Sequence, residues 1–365
     1  MKALYEFDED RQHEIIKRHL SMPRGGEVTG PVEGAYGSIY SITLPHAPPA
    51  LNRIAAKCPK IRKFGTRDLA RSGIEQVLHE LDKTHRIFMV PWVNRFFDVQ
   101  FIHGWPFVLS QYRDGSLDQL IANPLAWSIS DRFASLIVVT RALRLASRRG
   151  IAARQDLKPG NVFFEDLARR GVPKDSKGMH YCMFIGDFGL ADAFRDFGRN
   201  SGSRPYMAPE QFSKSPINLE SPAMFDVFAL GVMAYECFSD GHHPIGENTA
   251  DVWPWRQGIS QKWNRESTWR EWALDCCKTL PIELARIPND VSNLILAALA
   301  VDPKARPSLD EFEQQLWKSL KRIDHQTAGG IQMQVEDIEG RSSVDPDWPH
   351  MNERLMQLRQ FYSEF

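Results

Sequence analysis

The chain carries almost no excess charge of either sign: 45 lysines and arginines stand against 46 aspartates and glutamates over 365 residues. That balance argues against a dedicated nucleic-acid binder and against a membrane-surface protein. Cysteine is scarce. Cys58, Cys182, Cys237, Cys276 and Cys277 are odd in number and scattered, a pattern of reduced thiols in a cytoplasmic protein and not of a disulfide framework. Cys276-Cys277 has no second Cys or His pair at ligand spacing, so packing is the better reading than zinc. Long hydrophobic runs are missing too. The most apolar helical stretch, residues 133–146, is broken by Arg141 and Arg144, well short of the roughly 20 apolar residues that span a bilayer. Residues 1–20 are charged and lack an apolar centre, so no secretory signal is expected. The expectation is a soluble, cytoplasmic protein without nucleic-acid or membrane partners.

What the chain does have is a set of oxygen ligands at a telling spacing. Asp156-Leu157-Lys158-Pro159-Gly160-Asn161 is followed downstream by Asp187-Phe188-Gly189. One carboxylate to orient a hydroxyl, and an amide and a second carboxylate to hold a hard cation, are what phosphoryl transfer requires. Upstream stand Gly34-Ala35-Tyr36-Gly37-Ser38-Ile39-Tyr40 and Ile54-Ala55-Ala56-Lys57. Downstream stand Met207-Ala208-Pro209-Glu210, Asp226-Val227-Phe228-Ala229-Leu230-Gly231 and Asp302-Pro303-Lys304-Ala305-Arg306-Pro307. In this order the motifs resemble those of the eukaryotic-type protein kinase family over about three quarters of the chain.

The resemblance implies an α+β, bilobal, protein-kinase-like fold. An N-terminal extension (1–25) would precede a kinase domain (26–322), made of a small antiparallel β lobe with one long helix (26–112) and a larger, mainly α-helical lobe (113–322). A C-terminal linker and helix (323–365) would follow, with 327–348 as the polar linker and 351–365 as the helix. It further implies ATP and Mg2+ as cofactors and protein Ser/Thr hydroxyls as acceptors. Asp156 would be the catalytic base, with Lys158 beside the γ-phosphate; Asn161 and Asp187 would hold the metal. Nucleotide contacts are expected from Val32, Gly34, Gly37, Ile39, Ala55, Lys57 and the hinge residues Gln111 and Tyr112. A glutamate on a helix near residues 66–83 would pair with Lys57. Glu75 is preferred by its distance from His85, and Glu80 is the competitor. Ser110 reads either as the residue guarding the pocket behind the adenine or as an ordinary strand position. Arg306 is expected to pair with Glu210.

Several positions depart from the family. Val32 replaces the first glycine of the phosphate loop, and Arg154-Gln155-Asp156 stands where H-R-D is usual. Gln155 cannot offer a phosphate the charged fork of an arginine, so this would be a kinase of non-RD type, and Arg154 would sit where a side chain packs beneath the Phe of D-F-G. Asn161 and Asp187 are 26 residues apart, about twice the usual separation. The excess, 165–180, reads as a hairpin loop bearing Arg169, Arg170, Lys174 and Lys177, either a tolerated insertion or a basic docking loop. Five tryptophans between Trp253 and Trp272 read as core or as a partner surface. Two other functions compete: a pseudokinase acting as a nucleotide-binding or scaffolding module, and a small-molecule kinase.

Overall fold

The computed structural model describes residues 3–22, 25–33, 37–48, 52–60, 67–200, 202–213, 223–252, 266–275 and 289–341, with a few positions beyond. Gly34, Ser201, Trp253, Trp255, Trp263, Cys276, Cys277 and most of the predicted helix over 351–365 lie outside them. The chain divides into two compact units, Met1–Met89 with Asn94–Arg113, and Val90–Val93 with Asp114–Ser343.

The first unit is built on a sheet. Helix α1 (Glu9–Ser21) precedes strands β1 (Glu27–Glu33), β2 (Gly37–Thr43) and β3 (Arg53–Pro59); helix α2 (Arg67–Arg86) and strands β4 (Phe96–Ile102) and β5 (Trp105–Gln111) follow. The strands are antiparallel in the order β1-β2-β3-β5-β4. The two-residue period of a strand sends Tyr40, Ile42, Ile54, Ala56 and Cys58 to one face, which Leu4, Ile16 and Leu20 cover. The N-terminal segment thus completes the core of this unit. Asp8 caps α1 by accepting the Arg11 N–H at 2.9 Å, and burial pushes the Cys58 thiol well above its usual range, leaving it inert. Elsewhere in the unit Val77 and Leu81 of α2 pack with Phe88, Phe96 and Val99 in a separate cluster.

The second unit is mostly helical. It holds the short β6 (Gly115–Ser116), α3 (Leu117–Ile121), α4 (Ile129–Arg148), the hairpin β7 (Val162–Asp166) and β8 (Tyr181–Ile185), and α5 (Ala193–Asp196). Then come α6 (Met224–Phe238), α7 (Thr249–Val252), α8 (Glu266–Asp275), α9 (Asn289–Ala298), α10 (Leu309–Ile323) and α11 (His325–Arg341). Helix α6 is buried from Phe225 to Phe238, so it is hydrophobic on every side and forms the centre of the unit. Helices α4 and α10 start at capping boxes, Ser128 with Asp131 and Ser308 with Glu311. Trp269 and Trp272 are buried, with ring centroids 5.4 and 4.4 Å from His243, so these two serve the core. No described helix is long and apolar enough to cross a membrane.

One expectation changes. The predicted linker is helical over most of its length: Ala328, Ile331 and Val335 recur at helical spacing and are buried in α11. In the 165–180 segment Arg169 pairs with Asp114 at 2.9 Å and Arg170 with Glu165 at 3.1 Å.

The expected brace between Glu210 and Arg306 is present. The Arg306 guanidinium donates to both Glu210 carboxylate oxygens at 2.7 and 2.8 Å and to the carbonyls of Met224, Ala300 and Val301. Its side chain is fully buried. Removing one partner of such a pair strands the other without compensation. Arg306→Met is therefore expected to lower unfolding free energy by about 3–5 kcal/mol, measured by urea denaturation. A loss under about 1 kcal/mol, the range of an exposed ion pair, would show that the brace is not energetically buried.

Candidate active site

Lys57 stands in β3, opposite Ile39 in β2 and Val108 in β5. Its ammonium donates to both oxygens of Glu80, at 3.0 and 2.8 Å. This corrects the preference for Glu75. Among the described side chains of α2, Ile74, Val77 and Leu81 are the buried apolar ones, and Glu75 is exposed. Glu80 lies one residue before Leu81 and three after Val77, at the edge of the buried face, whereas Glu75 is turned about 140° from it around the helix axis.

The other residues expected at the nucleotide are distributed along the same sheet. Val32 is exposed in β1, opposite Ile39. Gly37 has a structural reason of its own: a Cβ there would lie 2.6 Å from the Cys58 carbonyl oxygen. Ala55 is half-buried opposite Ser110. Gln111 ends β5, and the Tyr112 ring lies under the Arg53 guanidinium at 3.8 Å.

In the second unit the catalytic-loop motif folds onto the start of α6. The buried Asp226 carboxylate accepts the Arg154 N–H at 2.7 Å and the Gln155 N–H at 3.0 Å. Burial pushes this carboxyl up to about 6, while the two N–H donors and the Arg154 charge pull the other way. Gln155 takes a left-handed conformation, φ +71, which presents the following residue. Asp156 is buried. Its Oδ1 accepts the Ser203 N–H at 2.6 Å; its Oδ2 accepts from Lys158 Nζ and Asn161 Nδ2, both at 3.2 Å. A carboxylate offers about four acceptor sites, so one remains open beside these three bonds. Lys158 also donates to Ser203 Oγ at 2.6 Å.

Asn161 leads directly into β7, and β8 leads directly to Gly186-Asp187. The register Val162 to Ile185 continues as the Gly186 N–H donating to the Asn161 carbonyl at 3.0 Å. The hairpin therefore brings Asn161 and Asp187 close despite their separation of 26 positions in sequence. Asp187 is left-handed, φ +56, a conformation that costs a non-glycine residue of order 1 kcal/mol or more. Arg154 supports it. The buried guanidinium donates to the Asp156 and Gly186 carbonyls and, at 3.2 Å, to that of Asp187, with its centre 5.7 Å from the Phe188 ring centroid.

Gln155 is fully engaged. Its amide donates to the Arg199 carbonyl at 2.5 Å and accepts the Phe194 N–H at 2.9 Å. A guanidinium has no acceptor and could not make the second bond. Three further residues went unnoticed in the sequence. Asp192 accepts the Ala153 N–H at 2.9 Å, and Gln211 donates to the Gln155 carbonyl at 3.2 Å. Glu236, pushed up to about 8 by burial, accepts the Tyr206 hydroxyl at 3.1 Å and that of Thr249 beneath the Pro205–Met207 platform. The sequence signal for Glu236 is a charge within the apolar run from Val227 to Phe238.

Residues 33–318 match the family profile described as protein kinase domain. Over 304 residues the chain is 25% identical to dual specificity testis-specific protein kinase 2 of Rattus norvegicus, an alignment covering 78% of this chain and 46% of that protein. It is 23% identical over 315 residues to probable serine/threonine-protein kinase gdt2 of Dictyostelium discoideum, covering 85% and 16%. It is 29% identical over 164 residues to protein-tyrosine kinase 6 of Mus musculus, covering 44% and 31%. The chain spans less than half the length of each of these relatives. With an antiparallel-sheet lobe, a helical lobe and a profile match over most of its length, this chain belongs to the protein kinase domain family.

Proposed function

We propose that the chain is an ATP-dependent serine/threonine protein kinase of non-RD type, active in the cytoplasm. The observation that carries the reading is the Asp156 cluster, in which Lys158 and Ser203 converge on one carboxylate that keeps an acceptor site open. A hydroxyl donating to Asp156 is oriented for attack, and Lys158 offsets charge between nucleophile and γ-phosphate. A short Ser or Thr side chain reaches Asp156 only when its backbone lies close to the loop, whereas a Tyr hydroxyl stands farther out.

The donor chemistry suits magnesium. Among the described residues no three His, Cys, Asp or Glu side chains form a metal cluster, so an all-protein cage is not what these residues supply. Magnesium is ordinarily held by one or two carboxylates together with phosphate oxygens and water, and Asp187 with Asn161 provides that share. Lys57, steadied by Glu80, is the residue for the α and β phosphates. Bound magnesium would neutralise phosphate charge as it develops.

The stretch from Asp187-Phe188-Gly189 to Glu210, the activation segment in the kinase resemblance, needs no phosphate in this reading. Where an arginine would wait for a phosphorylated residue, Gln155 already bonds two backbone groups of the segment, Phe194 N–H and Arg199 C=O.

Incubation with labelled ATP and magnesium is expected to yield phosphoserine and phosphothreonine; predominant phosphotyrosine would overturn the acceptor class. Asp156→Asn is expected to reduce transfer on the order of 10²–10⁴-fold while nucleotide binding persists, and near wild-type transfer would remove Asp156 from its role. Asp187→Ala is expected instead to weaken magnesium-dependent ATP binding, read by titration calorimetry, and an unchanged affinity would count against the metal assignment.

Phosphatase treatment is expected to leave activity within about tenfold of the untreated enzyme, since no guanidinium waits at position 155. A larger collapse would mean that another basic residue reads a phosphate.

A further inference from the structure

The two parts of this chain that depart most from its family, the long β7–β8 connection and the helix beyond residue 318, are packed against each other. Helix α11 follows the family match, which ends at 318. Asp324 starts it, accepting the Thr327 N–H at 3.0 Å and its hydroxyl at 2.6 Å. Near its end Glu339 accepts two bonds from Arg141 of α4, at 2.8 and 2.9 Å. Between these anchors the helix lies on residues 177–179. Gln334 accepts the Met179 N–H at 2.7 Å and donates to the Met179 carbonyl at 3.4 Å. Gly330 faces the chain so closely that a Cβ there would fall 1.5 Å from the Lys177 carbonyl oxygen. Adjacent Gly329 has nothing within 4 Å of its would-be Cβ.

Residues 177–179 are two positions short of β8, and β8 ends directly before Gly186-Asp187. The opposite strand, β7, begins directly after Asn161. A two-stranded hairpin by itself is only marginally stable, and this one, paired over five positions, depends on what packs around it. A one-residue slip in its register would turn every side chain to the other face. Its far end is fixed by Gln334 and by the His180 N–H donating to Asp131 of α4 at 3.1 Å.

We propose that α11 is a positioning element for the metal site. By holding the tip of the β7–β8 hairpin it fixes the register that sets Asn161 beside Asp187. The inference rests on the reading of those two residues as magnesium ligands. It makes Gln334 and Gly330 positioning residues that touch neither metal nor nucleotide, and it explains why a glycine, a poor helix former, stands in the middle of α11.

The test uses the full chain in four forms: wild type, Gly329→Ala, Gly330→Ala and Gln334→Ala. Gly330→Ala drives a Cβ into the Lys177 carbonyl; Gln334→Ala removes two bonds without a clash, in case the first variant folds poorly. Two readouts are taken: amide hydrogen exchange over residues 179–185, and the magnesium concentration giving half-maximal ATP binding, beside ATP affinity without metal. Exchange is expected to quicken in Gly330→Ala and Gln334→Ala. The magnesium midpoint should rise about tenfold, the low end of the roughly 10–100-fold cost of removing groups that support metal ligands, with metal-free affinity unchanged. Gly329→Ala should match wild type in both. Faster exchange with an unmoved magnesium midpoint would overturn the proposal, and so would unchanged exchange in both variants. If wild type itself binds ATP identically with and without magnesium, the kinase reading fails and this inference falls with it, a result separable from the others because it needs no variant.

Discussion

The loops around Asp156 and Asp187 hang from one buried carboxylate. Asp226, at the start of the central helix, accepts the N–H groups of two consecutive residues, Arg154 and Gln155. Two bonds to adjacent amides fix a backbone direction as well as a position, and they hold Gln155 in its left-handed conformation. From that fixed point the side chains diverge: Arg154 toward the Gly186-Asp187 carbonyls, Gln155 toward the activation segment, Asp156 toward Lys158 and Ser203. Burial works against the ionised form of Asp226, and the N–H donors together with the Arg154 charge offset it.

The departures at Arg154 and Gln155 read differently once their bonds are known. A buried guanidinium has five donors to satisfy, and Arg154 places its terminal nitrogens on three carbonyls around the metal loop. Gln155 gives up charge and gains an acceptor, so it can hold the chain at two points, the Phe194 N–H and the Arg199 carbonyl. In the function proposed here, order that other kinases obtain by adding a phosphate is built into uncharged bonds within the chain.

The cluster around Asp156 was legible in the sequence because it resides in contiguous loops: Asp156, Lys158 and Asn161 sit within six positions and Asp187 begins a short motif. What depended on register or on distant packing was not. Glu75 and Glu80 both lie on α2, and only the phase of Ile74, Val77 and Leu81 separates them. Gly329-Gly330 within a polar stretch suggests a linker by local propensity. The segment is a helix because Ile331 and Val335 bury, and because Gly330 lets the helix approach the Lys177 carbonyl. Glu236 and Gln211 act through partners 30 and 56 positions away in sequence, separations that no local pattern encodes.

In the proposed function Gln155 orders the activation segment without phosphorylation. Amide hydrogen exchange on protein shown by mass spectrometry to carry no phosphate tests this directly, at the Phe194 N–H that Gln155 holds at 2.9 Å. Slow exchange is expected there in the wild type and fast exchange in Gln155→Ala. Exchange at the rate of an unstructured peptide in the unphosphorylated wild type would contradict it.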